Sequence, residues 1–144
     1  MMENHKSKEP LLEIKDLKKY YEVSKEFLSK TKNYIKAVDG VDLTIEQGET
    51  VGLVGESGCG KTTIGKQIVG LELPTEGEIY FRGKRISTSK KLDINEDRDK
   101  IQMIFQDPMS SLNPRKRVYD ILSAPLLIHN KASKAELNKE VYQL

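Results

Sequence analysis

GESGCGKT, residues Gly55 to Thr62, fits the spacing G-x-x-x-x-G-K-[ST] that loops use to hold the phosphates of a nucleoside triphosphate. Each residue type answers a need of that ligand. Gly55, Gly58 and Gly60 let the backbone take positive φ and come close to phosphate, so that N–H groups along Glu56, Ser57 and Cys59 can turn inward as an anion nest. Lys61 supplies a mobile positive charge for the β- and γ-phosphates. The Thr62 hydroxyl is placed for Mg²⁺, and Thr63 continues into a helix whose N-terminus adds partial positive charge. The pattern requires a strand before it and a helix after it. ETVGLVG (Glu49 to Gly55) is a short apolar run suited to a buried parallel strand. TTIGKQIVGL (Thr62 to Leu71) puts Ile64, Ile68 and Leu71 on one helical face. An α/β fold of the phosphate-loop nucleotide-binding class follows, with a nucleoside triphosphate and Mg²⁺ as the expected ligands.

Composition sets the limits around this loop. The 144 residues, 37% hydrophobic and 32% charged, are enough for one domain with its own core. Lys plus Arg number 24 against 22 for Asp plus Glu, a balance that gives no argument for nucleic acid or anionic lipid. No apolar run approaches the ~20 residues that span a bilayer, and MMENHKSKEP lacks the apolar core of a signal peptide. The expected location is therefore cytoplasmic. The single cysteine, Cys59, cannot close an internal disulfide and reads as a small residue tolerated in a tight loop.

Along the chain, residues 1–10 are polar and expected to fray, and LLEIKDL (Leu11 to Leu17) reads as the first strand. The lysine-rich stretch from Glu22 to Lys36 reads as a long mobile hairpin connection, and VDLTI (Val41 to Ile45) as a strand. EIYFRG (Glu78 to Gly83) is a further strand, Ser87 to Lys100 a polar surface loop with a short helical turn, and IQMIFQ (Ile101 to Gln106) an apolar strand ended by Asp107-Pro108. Helical character then takes over. Val118, Ile121, Leu122 and Leu126 recur at helical spacing, with Pro125 expected to kink or end that helix. Ser133 and Glu136 form an S-x-x-E capping box ahead of a stripe made by Leu137, Val141 and Leu144.

A phosphate loop alone does not select a reaction. MIFQDPMSSLNPR (Met103 to Arg115) resembles the Q-loop region of ABC transporter ATP-binding subunits, and its FQDP and SLNPR elements resemble the oligopeptide, dipeptide and nickel importer branch. KAVDGVDLTIEQGETVGLVGESG (Lys36 to Gly58) is similar to the same branch, and the insertion after Tyr21 resembles the second of its two ATPase subunits. The resemblance implies the N-terminal part of an ABC-type nucleotide-binding domain. An antiparallel β subdomain and the phosphate-loop core would occupy 11–106, and the start of a helical subdomain 107–144. It implies ATP and Mg²⁺ as ligands, with Tyr20 stacking on adenine and Tyr21 as the neighbouring candidate. Gln106 would position Mg²⁺ and the attacking water, acting beside Thr62.

The implied partners are a second, homologous ATP-binding subunit forming a heterodimer, integral membrane permease subunits and, indirectly, an extracellular solute-binding protein. Nucleic acid is not among them. The implied position is peripheral, on the inner face of the cell membrane. The LSGGQ signature, the Walker B strand with its catalytic Glu and the switch His of the family do not occur, and neither His5 nor His129 has a suitable context. The expectation is a transport-coupled ATP hydrolase whose 144 residues alone hydrolyse negligibly. The rival readings are a non-catalytic ATP-binding fragment and a soluble ABC-type ATPase acting on nucleic acid. A GTPase is disfavoured because no N-K-x-D element occurs.

Overall fold

A computed structural model describes residues 9–23, 33–94, 96–107, 112–129, 133 and 135–143. The chain divides into two units, Met1–Ile101 and Gln102–Leu144.

The first unit is built on a four-stranded antiparallel sheet: β1 (Leu12–Val23), β2 (Asn33–Ile45), β3 (Glu76–Phe81) and β4 (Lys84–Thr88), in the order β2-β1-β3-β4. Leu12 and Ile14 alternate as a half-buried strand requires, but Leu17 lies at an odd spacing from both and would face the opposite side of a regular strand. A bulge restores it to the core. The register slips between Ile14 and Leu17, Asp16 sits at φ 45°, and the Asp16 N–H is taken by the Asp42 carboxylate at 2.8 Å. Gly77 allows the neighbouring strand to close over this irregularity. A β-carbon there would lie 2.4 Å from the Asp16 carbonyl oxygen, at a φ of 89°.

Leu12, Ile14, Leu17, Val38, Ile79, Phe81 and Ile86 from the sheet pack with Ile64 and Ile94 as one core. Each such side chain contributes about 1.5–3 kcal/mol by leaving water. Ile64 comes from α1 (Lys61–Ile68), the helix after the glycine loop. That helix stops at Gly70, φ 71°, where the Leu71 N–H reaches back to the Lys66 carbonyl at 2.8 Å and the Gly70 N–H to that of Gln67 at 3.1 Å. This left-handed glycine cap leaves Leu71 outside the helix and 55% exposed, so the apolar face expected to include it is shorter.

Two further expectations differ from the structure and a third is met. The connection expected over Glu22 to Lys36 is partly strand, since Glu22 pairs with Tyr34 and Val23 with Asn33; residues 24–32 lie outside the described residues. β4 replaces the start of the expected polar loop. It follows a two-residue turn, Arg82-Gly83, with both residues at positive φ, 50° and 72°. Arginine is an unusual occupant of the first place in such a hairpin turn, which hid the signal. The short helical turn expected within Ser87 to Lys100 is present at 96–100, held by the Ile101 N–H on the Asp97 carbonyl at 3.2 Å.

The two apolar runs expected as strands, Glu49 to Gly55 and Ile101 to Gln106, join no ladder among the described residues. Val54 is 93% exposed and Ile104 91%. A parallel strand makes no hydrogen bonds within itself, so an apolar run becomes one only beside a neighbour that accepts its backbone.

The second unit contains α2 (Val118–Ile128) and α3 (Leu137–Gln143). Pro125 does not end α2. It lies inside the helix, and its carbonyl accepts from the His129 N–H at 3.0 Å. The capping box forms as expected. The Glu136 N–H donates to Ser133 Oγ at 3.4 Å, while Glu136 Oε2 accepts from the Ser133 N–H at 3.3 Å and from its hydroxyl at 2.6 Å. Those bonds from Ser133 hold the Glu136 carboxyl below its ordinary range. Leu137 and Val141 are buried, and the Tyr119 hydroxyl joins the helices by donating to Asn138 Oδ1 at 2.5 Å. No helix among the described residues is long and apolar enough to cross a membrane.

Candidate functional site

The glycine loop is exposed along its length and meets buried structure at Gly60. Residues Val51 to Cys59 are exposed, whereas Gly60 is buried. Gly58 and Gly60 take φ of 83° and 97°, and the Cys59 N–H closes a turn on the Glu56 carbonyl at 3.3 Å. Gly60 is the N-cap of α1, and its carbonyl accepts the first helical bond, from the Ile64 N–H at 2.9 Å. A β-carbon on Gly60 would lie 2.2 Å from the Ala37 carbonyl oxygen, so the loop is fastened to β2 at a contact only glycine permits. Gly60→Ala is expected to lower the unfolding free energy by at least about 1–3 kcal/mol. Urea unfolding measures it, and an unchanged midpoint would show that the contact is not obligatory.

Lys61, the first residue of α1, turns back over the loop. Its ammonium donates to the Gly55 carbonyl at 2.8 Å and the Glu56 carbonyl at 2.7 Å, and lies 3.4 Å from Cys59 Sγ. These acceptors are neutral, partial charges. An anion lying in the loop would offer the same ammonium full negative charge and a stronger, charge-assisted bond. Thr62 is exposed at the start of the helix and Thr63 is half-buried. The structure thus places Gly55, Glu56, Ser57, Gly58, Cys59, Gly60, Lys61, Thr62 and Thr63 in one loop that runs into a helix N-terminus, an arrangement suited to polyphosphate. An exposed threonine hydroxyl suits Mg²⁺, which keeps most of its water and takes few protein ligands beside phosphate oxygens. No group of three or more His, Cys, Asp or Glu residues suited to a metal ion occurs among the described residues.

The two tyrosines of β1 part company. As neighbours in a strand they face opposite sides of the sheet. The Tyr20 hydroxyl donates to Asp39 Oδ1, with Lys36 5.2 Å from its ring. Tyr21 turns to α1: its hydroxyl donates to Glu72 Oε2 at 2.5 Å, which raises its pKa, and the Thr63 side chain acts on the same hydroxyl in the opposite sense. Glu72 is held below the ordinary carboxylate range by that tyrosine and then by Lys66. Such a lowered carboxyl stabilises the fold fully above its unfolded value, near ~4.3, and the contribution is lost as pH falls through the lower folded value. Gln106 is exposed in the second unit, on the extended segment before Asp107. Sequence reasoning named Tyr20 first and Tyr21 as its neighbouring candidate, and did not single out Glu72.

A family model described as ABC transporter matches residues 38–144. The chain belongs to the ABC transporter family. It is 50% identical over 137 residues to the oligopeptide transport ATP-binding protein OppF of Lactococcus lactis subsp. lactis (strain IL1403), covering 93% of this chain and 42% of that protein. It is 42% identical over 139 residues to the dipeptide transport ATP-binding protein DppF of Haemophilus influenzae, covering 96% of this chain and 42% of that protein. Among solved structures it is similar to the dimeric, post-hydrolysis ATP-binding cassette MJ0796 bound to ADP and Pi. The TM-score is 0.68 and the identity 27%, with 92% of this chain and 54% of the cassette covered. The α/β fold with an antiparallel sheet and a phosphate loop is the fold of such cassettes. The chain spans about two fifths of the length of the curated relatives it matches.

Proposed function

We propose that this chain forms the ATP- and Mg²⁺-binding part of the energy-coupling ATPase of an ABC importer for peptides or similar small solutes. The observation that carries the reading is Lys61, folded back into a glycine loop whose open side lies at the N-terminus of α1. ATP entering the loop takes the ammonium from the Gly55 and Glu56 carbonyls, and the loop N–H groups and helix terminus share the phosphate charge. Thr62 would hold Mg²⁺, whose charge would neutralise that of the phosphates. Gln106 carries the family motif for placing Mg²⁺ and the attacking water. Tyr21 is the better placed of the two tyrosines to stack on adenine, because its hydroxyl is held by Glu72 on the turn that ends the loop helix whereas that of Tyr20 meets Asp39 on β2.

The relatives' names support the peptide branch, and the dimeric state of MJ0796 supports a second ATP-binding subunit as partner. In the proposed assembly two such subunits close on ATP at the inner face of the membrane and shift permease subunits between two states. An extracellular solute-binding protein delivers the solute. Titration of the purified chain with Mg²⁺-ATP and Mg²⁺-GTP, together with capture of permease subunits, tests this reading. Saturable ATP binding and copurifying integral membrane subunits are expected. Salt-sensitive binding of nucleic acid in their place would transfer the chain to the rival ATPase class.

A further inference from the structure

Glu72 lies on the turn that ends α1, and its carboxylate accepts a hydrogen bond from the Tyr21 hydroxyl at 2.5 Å and is ion-paired with the ammonium groups of Lys66 at 3.5 Å and Lys19 at 3.9 Å. The turn itself is fixed, because the Lys66 carbonyl accepts from both the Leu71 N–H at 2.8 Å and the Glu72 N–H at 3.3 Å. Lys19 is fixed too, donating to the Leu73 carbonyl at 2.8 Å. Its ammonium stands 5.2 Å from the centre of the Tyr21 ring, a cation over one π face. Tyr21 as a whole is still 39% exposed. Tyr21 is therefore held at its hydroxyl and on one face while presenting apolar surface to solvent beside the loop helix.

We propose that Glu72 is a positioning residue that, with Lys19, sets the Tyr21 ring as a prearranged stacking plate for the purine base of the nucleotide whose phosphates occupy the 55–62 loop. The inference rests on the nucleotide reading of that loop. The physical gain is preorganisation. A tyrosine free to change rotamer must be immobilised when the base docks, and a ring already held by carboxylate and ammonium is not charged that entropy on binding. Polyphosphate without a base gains nothing from the plate, so the two ligands separate this role from general support of the fold.

Equilibrium dissociation constants are to be measured for Mg²⁺-ATP and for inorganic tripolyphosphate with Mg²⁺, on the chain and on Glu72→Leu, Tyr21→Phe, their combination and Glu72→Gln. Glu72→Leu is expected to weaken ATP binding about 3- to 10-fold, the range that immobilising one side chain implies, with tripolyphosphate unchanged. Tyr21→Phe, which removes only the hydroxyl, should give the same selective loss, and the combination no more than either alone. Glu72→Gln retains an acceptor and should recover most of the affinity. The proposal is overturned if Tyr21→Phe keeps the wild-type ratio of ATP to tripolyphosphate affinity, or if Glu72→Leu weakens both ligands equally. If the unaltered chain binds neither ligand, the nucleotide reading of the loop falls instead.

Discussion

Lys61→Ala is expected to weaken Mg²⁺-ATP binding by about two orders of magnitude while leaving the fold intact. The lysine is the one side chain of the loop that carries a full positive charge, and a hydrogen bond to a charged group is worth about 1.5–3 kcal/mol. More than one such bond is available to it, since it already makes two to the Gly55 and Glu56 carbonyls at 2.8 and 2.7 Å. A loss near 2.8 kcal/mol corresponds to roughly a hundredfold in dissociation constant. Stability should hardly change. The carbonyls that Lys61 vacates belong to exposed residues and can turn to water, so the expected cost lies within about 0.5 kcal/mol. Calorimetric titration with ATP, run beside urea unfolding of the same protein, separates the two quantities. Wild-type affinity in the variant would remove Lys61 from the site. A large fall in stability would assign it to the fold.

Leu17→Ala is expected to have the largest effect on stability, lowering it by about 2–5 kcal/mol. Leu17 is fully buried and sits immediately after the bulge at Asp16, between Ile14 and the strands on either side of β1. The bulge that brings it inward is held from both flanks, by the Asp42 carboxylate and by the close approach of Gly77. The site therefore has little freedom to collapse onto the missing methyl groups, which places the cost toward the upper end of that range. Domains are stable by only about 5–15 kcal/mol, so a loss of this size shifts a large share of molecules toward the unfolded state. With urea slopes of roughly 1–3 kcal/mol/M, the midpoint should fall by at least about 1 M. Leu71→Ala is the matching control, because Leu71 is 55% exposed beyond the end of α1. Equal shifts for the two variants would show that the core is not centred on Leu17.

The loop, helix and cap elements that sequence reading anticipated close their hydrogen bonds within a few residues, whereas the strands it anticipated at LLEIKDL, VDLTI and EIYFRG are paired with residues far along the chain. The GESGCGKT loop and the start of α1 depend on glycines at fixed places, and the Ser133–Glu136 capping box is complete within four residues. The short turn at 96–100 is likewise local. Even the early end of α1 was written in Gly70, although the apolar spacing through Leu71 obscured it.

Strands behaved differently. VDLTI was legible by its alternation, but its extension back to Asn33 runs through a lysine-rich stretch that carries no strand pattern, and it forms because β1 lies beside it. β4 exists through its pairing with β3 across Arg82-Gly83, a turn whose residues do not announce it. The apolar runs 49–55 and 101–106 were read as strands and join no ladder among the described residues.

What the sequence by itself determined was the glycine loop at 55–62 with the start of its helix, and the family that the Q-loop region resembles. Tertiary structure alone decided that Tyr21 and not Tyr20 turns to the loop helix, that Glu72 and Lys19 hold it there, and that a bulge at Asp16 admits Leu17 to the core. Helix caps and glycine loops satisfy their backbone groups from adjacent residues. A strand takes its partners, and a side chain its face, from residues dozens of positions away, such as the 51 that separate Tyr21 from Glu72.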